Sequence, residues 1–440
     1  MLYSQVISYL ESFVNFEKVK SYHYKKSLKL ERIKNFLAIL GNPQDDFKCI
    51  HIAGTKGKGS TAAFIAYILK EAGYKVGLYT SPHLSDLRER IRILPGKERT
   101  EFEGMISRPA LKSLVEKLKP RIEEYNRNSL YGPLTFFEVY TALALVYFRE
   151  NKIDFAVLET GLGGRLDATN AVNAIISVLT PISYEHMDKL GRTLRSIAAE
   201  KAGIIKNKES IVVCAPQEKV VRDVIRARCK LFQAKLYEIN RCRHLKIILF
   251  GRHQLINATV AESAIKALSV YGIKVGANSI RRGLSNTIWP GRCEVLNRNP
   301  YVIIDGAQNI SSARALKETI KGNSFVGSVC LSAKQRSASE RRYQKLILVL
   351  GISNDKDIKG ICSEFYDLAD KIILTQAHSI RATDPKVLAK YFKDKERYIT
   401  NKVSQAKSLS MRLAEKDDLI LVTGSLFVIG EFKYGKRSFN

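Results

Sequence analysis

The stretch His51-Ile52-Ala53-Gly54-Thr55-Lys56-Gly57-Lys58-Gly59-Ser60-Thr61 decides the fold of the first half of the chain. Residues 49–52 at its start are short and mostly apolar, as in a buried strand, and residues 62–71 after it have the pattern of a helix that ends near Gly73. A strand, a glycine loop and a helix in this order form a cradle for phosphate groups, because backbone N–H groups and the helix N-terminus both attract anions.

The loop departs from the standard phosphate-loop pattern of glycine, four residues and Gly-Lys-Ser/Thr. Gly59 follows Lys58, so Ser60 stands one place late. The alternative is an ordinary glycine turn between a strand and a helix. Glycine and hydroxyl residues around two lysines favour a nucleotide site, in which Lys58 reaches the outer phosphates and Ser60 or Thr61 faces Mg²⁺.

Length and composition indicate a globular protein of two or three domains. The chain has 440 residues, of which 45% are hydrophobic and 26% charged. The longest apolar runs, such as residues 141–148, are too short to cross a bilayer, and the N-terminus lacks the pattern of a signal peptide. We therefore expect a cytoplasmic protein with no membrane partner. The seven cysteines are scattered, which predicts reduced and mostly buried thiols.

The formal net charge of +29 has several interpretations. It favours binding to nucleic acid or a membrane surface, attraction of anionic substrates, or simply a lysine-rich composition of the source organism. Basic residues are spread over the whole chain, and no recognition helix or aromatic-basic RNA motif accompanies them. Nucleic acid is therefore not the expected partner.

Polar side chains follow several predicted strands of the first domain. Strands are predicted at the following places: residues 75–79, 88–94, 155–158, 175–179, 211–214, 235–239 and 246–250. Ser81, Glu159 and His186 come after three of them, where ligands collect in open α/β sheets. A carboxylate at a strand end near a phosphate loop is a usual Mg²⁺ ligand, because hard cations take oxygen ligands. A turn serine and a structural histidine are the alternatives for Ser81 and His186.

Helices are predicted over residues 1–40, 135–150, 193–204 and 251–268, and Trp289-Pro290-Gly291-Arg292 marks a domain junction. We expect an α/β fold with a phosphate-loop ATPase domain at residues 1–290 and a smaller Rossmann-like domain at 291–440. Four strands with crossover helices are predicted in the second domain, at residues 302–304, 346–350, 371–374 and 419–422. Residues 332–342 are polar and basic enough to be a mobile loop.

Eight segments together resemble the folylpolyglutamate synthase/dihydrofolate synthase family of the Mur-ligase superfamily. They are HIAGTKGKGST, TSPHLSDLRERI, LTFFE, ETGLGGRLDATN, HMDKLGRTLRSIAAEKAGIIK, WPGR, DGAQN and TGS. Any one could arise by chance, but eight in the family's order do not, and the likeness extends over nearly the whole chain.

The resemblance implies an ATP-dependent carboxylate–amine ligase, in which ATP phosphorylates a pteroate or folate carboxylate and L-glutamate attacks the acyl phosphate. It assigns catalysis to Lys58, His186 and Lys201, the last as a carbamate. By the resemblance, two Mg²⁺ ions are held by Ser60, Ser81, Glu159, His186 and Lys201. The nucleotide contacts it implies are Gly54, Thr55, Lys56, Gly57, Lys58, Gly59, Ser60, Thr61, Asn257, Arg292 and Asp305. The substrate contacts it implies are Thr135, Phe136, Phe137, Leu166, Asp167, Gln308 and Ser425.

Three residues depart from the family pattern. Glu185 stands in place of an aspartate, and Lys56 replaces the commoner asparagine of the phosphate loop. Gln308 stands where a histidine helps to bind glutamate, which puts the amino-acid substrate in question. A Mur-type ligase that joins another amino acid to another carboxylate is therefore the second hypothesis, and a basic nucleotide-binding protein that binds nucleic acid is the third. We expect a monomer.

Overall fold

The computed structural model describes residues 1–19, 22–96, 100–322 and 343–435. These residues form two compact units, each built on its own sheet. Among the described residues, the first unit contains those of Met1–Ile247 and Leu255–Ile288, and the second contains Ile248–Gln254 and those from Trp289 to Gly435. The chain therefore enters the second unit once before it returns to complete the first.

Within the described residues, seven strands form the sheet of the first unit, in the order β3-β2-β4-β1-β5-β6-β7. All pairs are parallel except β2–β3. The strands are β1 (Lys48–Ala53), β2 (Val76–Tyr79), β3 (Ile91–Leu94), β4 (Phe155–Glu159), β5 (Ala174–Leu179), β6 (Ile211–Cys214) and β7 (Leu236–Glu238). The central strand β1 is buried from Cys49 to Ala53, which explains its almost continuous apolar sequence.

Helices cover this sheet. They are α1 (Tyr3–Glu11), α2 (Tyr24–Ser27), α3 (Leu30–Ile39), α4 (Lys58–Glu71), α5 (Arg108–Asn128), α6 (Phe136–Glu150), α7 (Met187–Leu190), α8 (Leu194–Ala202), α9 (Lys219–Phe232), α10 (Arg252–Ala267) and α11 (Ala277–Asn286). Helix α6 is apolar on most faces, because it is buried in the main core of this unit. Helix α5, which the sequence analysis does not predict, packs against it.

The second unit has a Rossmann-like sheet that is larger than expected. Six strands are found in its described part, in the order β12-β11-β10-β13-β9-β8, and only the β8–β9 pair is antiparallel. They are β8 (Glu294–Arg298), β9 (Tyr301–Ile304), β10 (Leu346–Leu350), β11 (Lys371–Leu374), β12 (Glu396–Ile399) and β13 (Leu419–Thr423). The helices are α12 (Ile310–Lys321), α13 (Ile358–Tyr366), α14 (Pro385–Ala389), α15 (Val403–Leu413) and α16 (Leu426–Tyr434).

The mixed α/β class and the mostly parallel sheets are confirmed, and four details of the expected elements are wrong. Residues 246–250 form no strand, and the second sheet has two edge strands, β8 and β12, beyond the predicted four. The strand predicted from residue 88 begins at Ile91, after a 3₁₀ turn at Leu87–Arg90. The first 40 residues form three helices with breaks, so they are not continuously helical.

Other expectations concern cysteines, membranes and the loop at 332–342. Among the described residues the cysteine thiols are free, and all are buried except that of Cys242. In the described part of the chain, no helix combines the length and apolar character needed to cross a bilayer. The loop predicted at 332–342 lies outside the described residues.

Candidate active site

The phosphate loop has a backbone that only glycine accommodates at two positions. Gly54 and Gly57 have φ angles of +154° and +79°. A Cβ atom on Gly54 would lie 1.9 Å from Thr180 Oγ1, and one on Gly57 would lie 2.1 Å from Asn257 Oδ1. The loop therefore has this shape because two neighbouring side chains approach the backbone closely.

The loop is also tied to the segment that follows β5. The N–H groups of Thr55 and Lys56 donate to Pro181 O at 3.0 and 3.2 Å. The Thr55 hydroxyl donates to Ser183 O and accepts from Ser183 N, both at 3.1 Å. These bonds come from the protein itself and hold residues 55 and 56 of the loop in place. Sequence reasoning missed Ser183 as an anchor, because nothing local to residue 55 indicates its partner.

Helix α4 begins four residues earlier than expected, at Lys58, directly after Gly57. Glycine has no side chain with which to cap the first turn, so the first N–H groups remain available to an anion. Ser60 and Thr61 are buried in this turn, and Thr61 Oγ1 has no hydrogen-bond partner in the described part of the chain. A buried orphan hydroxyl at a helix N-terminus fits an oxygen-rich ligand.

Lys58, Ser81 and Glu159 come together at the carboxyl edge of the sheet. Strand β4 lies between β1 and β2, so the residues that follow these strands share one edge. Lys58 Nζ lies 4.0 Å from Glu159 Oε1, and Glu159 Oε2 accepts from Ser81 N at 3.2 Å. The carboxylate is nearly buried, with 6% of its side chain exposed. This arrangement places one cation, one carboxylate and one serine beside the phosphate loop.

Lys201, on α8, contacts the same loop although it lies far from it in the sequence. Its ammonium donates to Gly54 O at 2.7 Å, and only 3% of the residue is exposed. Burial, followed by the positive charge of Lys58, lowers the pKa of Lys201 to about 7, whereas Glu185 and Asp167 act in the opposite direction. The amine is therefore partly neutral near physiological pH.

His186 follows β5 and precedes α7. Its backbone is left-handed, with φ 50° and ψ 43°, and its side chain is partly exposed. Among the described residues, no group of three His, Cys, Asp or Glu side chains is arranged to hold a metal ion. Ser60 and Glu159 offer a hydroxyl and a carboxylate at this edge, which are oxygen ligands of the kind that Mg²⁺ takes.

The expected heterocycle segment divides into a structural part and an accessible part. Thr135 caps α6 in a capping box with Glu138. Phe136 is 1% exposed and stacks on Tyr140 at 5.5 Å between ring centroids, so this ring belongs to the core. Phe137 is partly exposed, and its ring packs so closely on Gly161 that a Cβ there would lie 2.7 Å from Phe137 Cζ.

Asp167 holds its own loop in place. Its buried carboxylate accepts from Leu162 N at 2.8 Å and from the N–H and hydroxyl of Thr169 at 3.0 and 2.5 Å. The Thr169 hydroxyl also bonds to His51 Nε2 at 2.8 Å. Burial raises the pKa of Asp167, and the donors oppose this effect. The neighbouring Leu166 is partly buried against the α8–α9 core.

The second unit gathers the remaining predicted residues at the carboxyl ends of β9 and β13. Asp305 accepts from Cys293 N at 2.9 Å and from Ala307 N at 2.8 Å. A Cβ on Gly306 would lie 2.6 Å from an Arg292 guanidinium nitrogen and 2.4 Å from Leu426 Cδ2. Ser425 caps α16 by accepting from Phe427 N at 3.2 Å, and Gln308 N donates to Ser312 Oγ at 3.1 Å. Asp305 and Ser425 are thus engaged by backbone groups.

The chain is similar to known proteins along nearly its whole length. It matches the Mur ligase middle domain over residues 131–240 and the Mur ligase glutamate ligase domain over residues 291–426. It is 32% identical to the dihydrofolate synthase/folylpolyglutamate synthase of Bacillus subtilis, over 92% of this chain and 94% of that protein. The Escherichia coli protein of the same name is 31% identical, over 97% and 95%.

Solved structures agree with this result. The Mycobacterium tuberculosis folylpolyglutamate synthase complexed with ADP superposes with a TM-score of 0.84 at 27% identity, over 99% of this chain and 98% of that chain. The E. coli FolC in complex with DHPP and ADP superposes with a TM-score of 0.80 at 28% identity, over 98% and 96%.

Proposed function

Because this chain belongs to the folylpolyglutamate synthase/dihydrofolate synthase family of Mur ligases, we propose that it joins L-glutamate to the carboxylate of dihydropteroate, of tetrahydrofolate, or of both, at the expense of ATP. The observation that carries this proposal is the anchored phosphate loop with Lys58, Ser81 and Glu159 at one sheet edge. The relatives named above are folate enzymes, so the alternative of a different amino acid and carboxylate has no support from them.

The proposed reaction has two steps. A carboxylate oxygen of the pterin substrate attacks the γ-phosphorus of ATP, and ADP leaves, which gives an acyl phosphate. The amine of glutamate then attacks the acyl carbon, inorganic phosphate leaves, and the amine loses a proton as the amide forms. Lys58 and the N–H groups of residues 57–60 offset the negative charge that develops on the transferred phosphoryl group.

Magnesium fits the residues at this edge. Ser60, Ser81, Glu159 and His186 supply three oxygens and one nitrogen, and the buried orphan hydroxyl of Thr61 lies in the same helical turn as Ser60. We assign these four residues, together with a carbamylated Lys201, as the ligands of two ions. Bound Mg²⁺ would neutralise phosphate charge.

Carbamylation of Lys201 suits its electrostatic surroundings. A buried lysine whose pKa is about 7 has a neutral amine available to attack CO₂, with loss of a proton as the N–C bond forms. The product bears a negative oxygen, which attracts Mg²⁺ and Lys58, whereas an ammonium at the same place repels both.

The other assignments belong to the same proposal and follow the family resemblance. Residues 54–61 with Asn257 bind ATP, and Arg292 and Asp305 complete the nucleotide contacts. Phe137 and the loop at 161–167 face the heterocycle, with Thr135, Phe136, Leu166 and Asp167 shaping that pocket. Gln308 and Ser425 bind glutamate. We propose that the enzyme works in the cytoplasm as a monomer.

The test is an assay of ADP release by the purified chain with ATP and Mg²⁺. Dihydropteroate, tetrahydrofolate and unrelated carboxylates are each supplied with glutamate or another amino acid. We expect ADP release only when a pterin substrate and glutamate are both present, with a product of one added glutamyl residue by mass spectrometry. Turnover with another amino acid and none with glutamate would contradict the proposal.

Gln308 leads to a prediction about glutamate affinity. A protonated histidine at this position forms a charge-assisted hydrogen bond with a carboxylate, about twice as strong as a neutral one. We expect Gln308→His to lower the KM for glutamate severalfold at about pH 6, where imidazole is charged, and less at about pH 8. The same measurement on Gln405→His, a change in α15, is the control. No gain at either pH would show that Gln308 does not contact the carboxylate.

A further inference from the structure

His83 and the buried Arg90 form a hydrogen-bonded pair that none of the roles above uses. They lie in the segment between β2 and β3. Arg90 is 1% exposed, and its Nε donates to His83 Nδ1 at 3.0 Å. The two terminal guanidinium nitrogens donate to the carboxylate of Glu17 at 2.9 and 2.6 Å. Each of the three guanidinium nitrogens therefore donates a hydrogen bond.

The position of Arg90 is fixed by more than its hydrogen bonds. The guanidinium carbon lies 5.5 Å from the ring centroid of Phe136 and 5.9 Å from that of Tyr140. A carboxylate at its end and two aromatic rings beside it leave the guanidinium little freedom. Its Nε–H is thus held toward His83.

This contact determines the tautomer of His83. Arginine can only donate, so His83 Nδ1 must accept and the ring proton must be on Nε2. With Nδ1 occupied by this bond, the ring presents Nε2–H as its remaining donor.

The donor faces an accessible region. The His83 side chain is partly exposed, and no residue that the structure describes forms a hydrogen bond with its Nε2. His83 stands two residues after Ser81, whose N–H binds Glu159 beside Lys58. On its other side, Arg90 lies against Phe136 at the start of α6. His83 is therefore connected to the phosphate-binding edge through Ser81 in the chain, and to the segment assigned to the heterocycle through Arg90.

We propose that His83 is a substrate-binding residue that donates a hydrogen bond from Nε2 to an oxygen of the carboxylate-bearing part of the pterin substrate, and that Arg90 is the positioning residue that orients it. This inference rests on the proposed function and deepens it. The carbonyl and carboxylate oxygens of the pterin substrate are acceptors that match an N–H donor. A built donor of this kind discriminates strongly against ligands without an acceptor.

Two substitutions separate the two ring nitrogens of His83. In His83→Asn the side-chain oxygen still accepts from Arg90, but nothing replaces Nε2. In His83→Gln an amide nitrogen reaches about as far as Nε2. We expect His83→Asn to lower kcat/KM for the pterin substrate about ten- to hundredfold, the effect of losing one hydrogen bond to a charged group, with the KM for ATP within about twofold. His83→Gln should recover most of the loss.

The matched control is His244→Asn, the same change at an exposed histidine, which should alter no parameter. The dissociation constant of the pterin substrate, measured by fluorescence titration with ADP present, gives a readout that does not depend on turnover. Circular dichroism and thermal melting show that each variant is folded. A wild-type-like His83→Asn, or one in which the KM for ATP rises as much as that for the pterin substrate, would overturn the inference.

Arg90 is tested through its dependence on His83. We expect Arg90→Met to raise the KM for the pterin substrate in the wild-type background but to add less than about twofold in the His83→Asn background. Multiplicative effects would show that Arg90 does not act through His83. If Arg90→Met fails to fold, the two His83 variants decide the question. A wild-type chain that turns over no pterin substrate would overturn the proposed function and this inference together, whereas an active wild type with an equally active His83→Asn overturns this inference alone.

Discussion

Lys58 and Lys201 show how one charge can change the behaviour of another at the residue scale. Lys58 pairs with the carboxylate of Glu159, whereas Lys201 is held by an uncharged carbonyl. Because a carbonyl offsets less of the cost of burial than a carboxylate does, the pKa of Lys201 falls, and the charge of Lys58 lowers it further. The two lysines thus have different partners in the same loop environment.

Removal of the Lys58 charge should affect catalysis and leave the fold intact. We expect Lys58→Met to reduce kcat about a hundredfold or more, which corresponds to about 3 kcal/mol of lost transition-state stabilisation. The melting temperature should change little, because methionine has nearly the length of lysine and Lys58 Nζ lies 4.0 Å from Glu159 Oε1, beyond hydrogen-bond distance. Lys117→Met, which removes the same charge from an exposed surface pair, is the control. Near wild-type turnover in Lys58→Met would refute the assignment.

The lowered pKa of Lys201 leads to a prediction about stability. Its pKa is about 7 in the folded protein, against about 10.4 in an unfolded chain. Between these values the unfolded chain binds more protons than the folded protein, so the contribution of this lysine to stability increases as the pH rises from about 7 to about 10.4.

Lys201→Met removes this contribution and the buried charge with it. We subtract the melting temperature of the wild type from that of the variant, both measured in CO₂-free buffer without nucleotide. We expect this difference to be most favourable to the variant near pH 7 and to fall by about 2–4 °C or more toward pH 10. Lys75→Met, at an exposed position, should show no such trend. A melting-temperature difference that does not vary with pH would show that Lys201 stays charged.

At the scale of the element, helix α4 has a glycine with positive φ at each end, and only one of them faces a neighbour. Gly57 has Asn257 within 2.1 Å of its missing Cβ, whereas Gly73, with φ +93°, has nothing within 4 Å. Gly57→Ala and Gly73→Ala therefore both introduce left-handed strain of about 1–2 kcal/mol, but only the first displaces a side chain.

We expect Gly57→Ala to weaken ADP binding about tenfold or more, as measured by titration calorimetry, since it both strains the phosphate loop and moves Asn257. Gly73→Ala should lower the melting temperature by a few degrees and leave the affinity for ADP unchanged. Equal losses of affinity in the two variants would mean that strain in the helix, and not the shape of the loop, controls nucleotide binding.

The sequence predicts elements best where the signal is local. The local sequence predicts the buried strand β1 and the glycine loop after it, because burial on both faces requires apolar residues and the loop requires positive φ. The edge strands β8 and β12 are missed because one side of each is unpaired and their residues are largely polar or exposed. Residues 246–250 have the composition of a strand but no hydrogen-bonded partner among the described strands, and strand propensity without a partner does not make a strand.

The site is predictable to the same extent. Glycine positions and strand ends locate the phosphate loop, Ser81 and Glu159 from local pattern alone. Partners distant in sequence are not visible in that pattern: Asn257 against Gly57, Ser183 against Thr55, and Glu17 beneath Arg90 all depend on tertiary packing. The sequence likewise does not show that Phe136 is buried in the core while Phe137 stays partly exposed, because this difference depends on which ring the core covers.

At the scale of the whole molecule, the net charge of +29 should act on anionic substrates as a diffuse field. The Debye length falls from about 30 Å at about 0.01 M salt to about 8 Å at about 0.15 M. We expect kcat/KM for ATP to fall about threefold or more over this range while kcat changes little. The same titration with a DNA duplex as competitor is the control, because inhibition that vanishes with salt would instead favour nucleic-acid binding. A salt-independent kcat/KM would show that the surplus charge does not assist substrate capture.

The path of the chain between the two units has a consequence for synthesis on the ribosome. Asn257 and α11 both contact the phosphate-loop helix, the latter so closely that a Cβ on Gly283 would lie 2.4 Å from Ile68 Cα. Both are translated after residues 248–254, which belong to the second unit. A nascent chain therefore carries its nucleotide cradle long before it carries the residues that support it. Folding from the N-terminus during synthesis therefore cannot complete the first unit until residue 288 has left the exit tunnel. By then residues 248–254 have been exposed without the rest of the second unit, to which they belong.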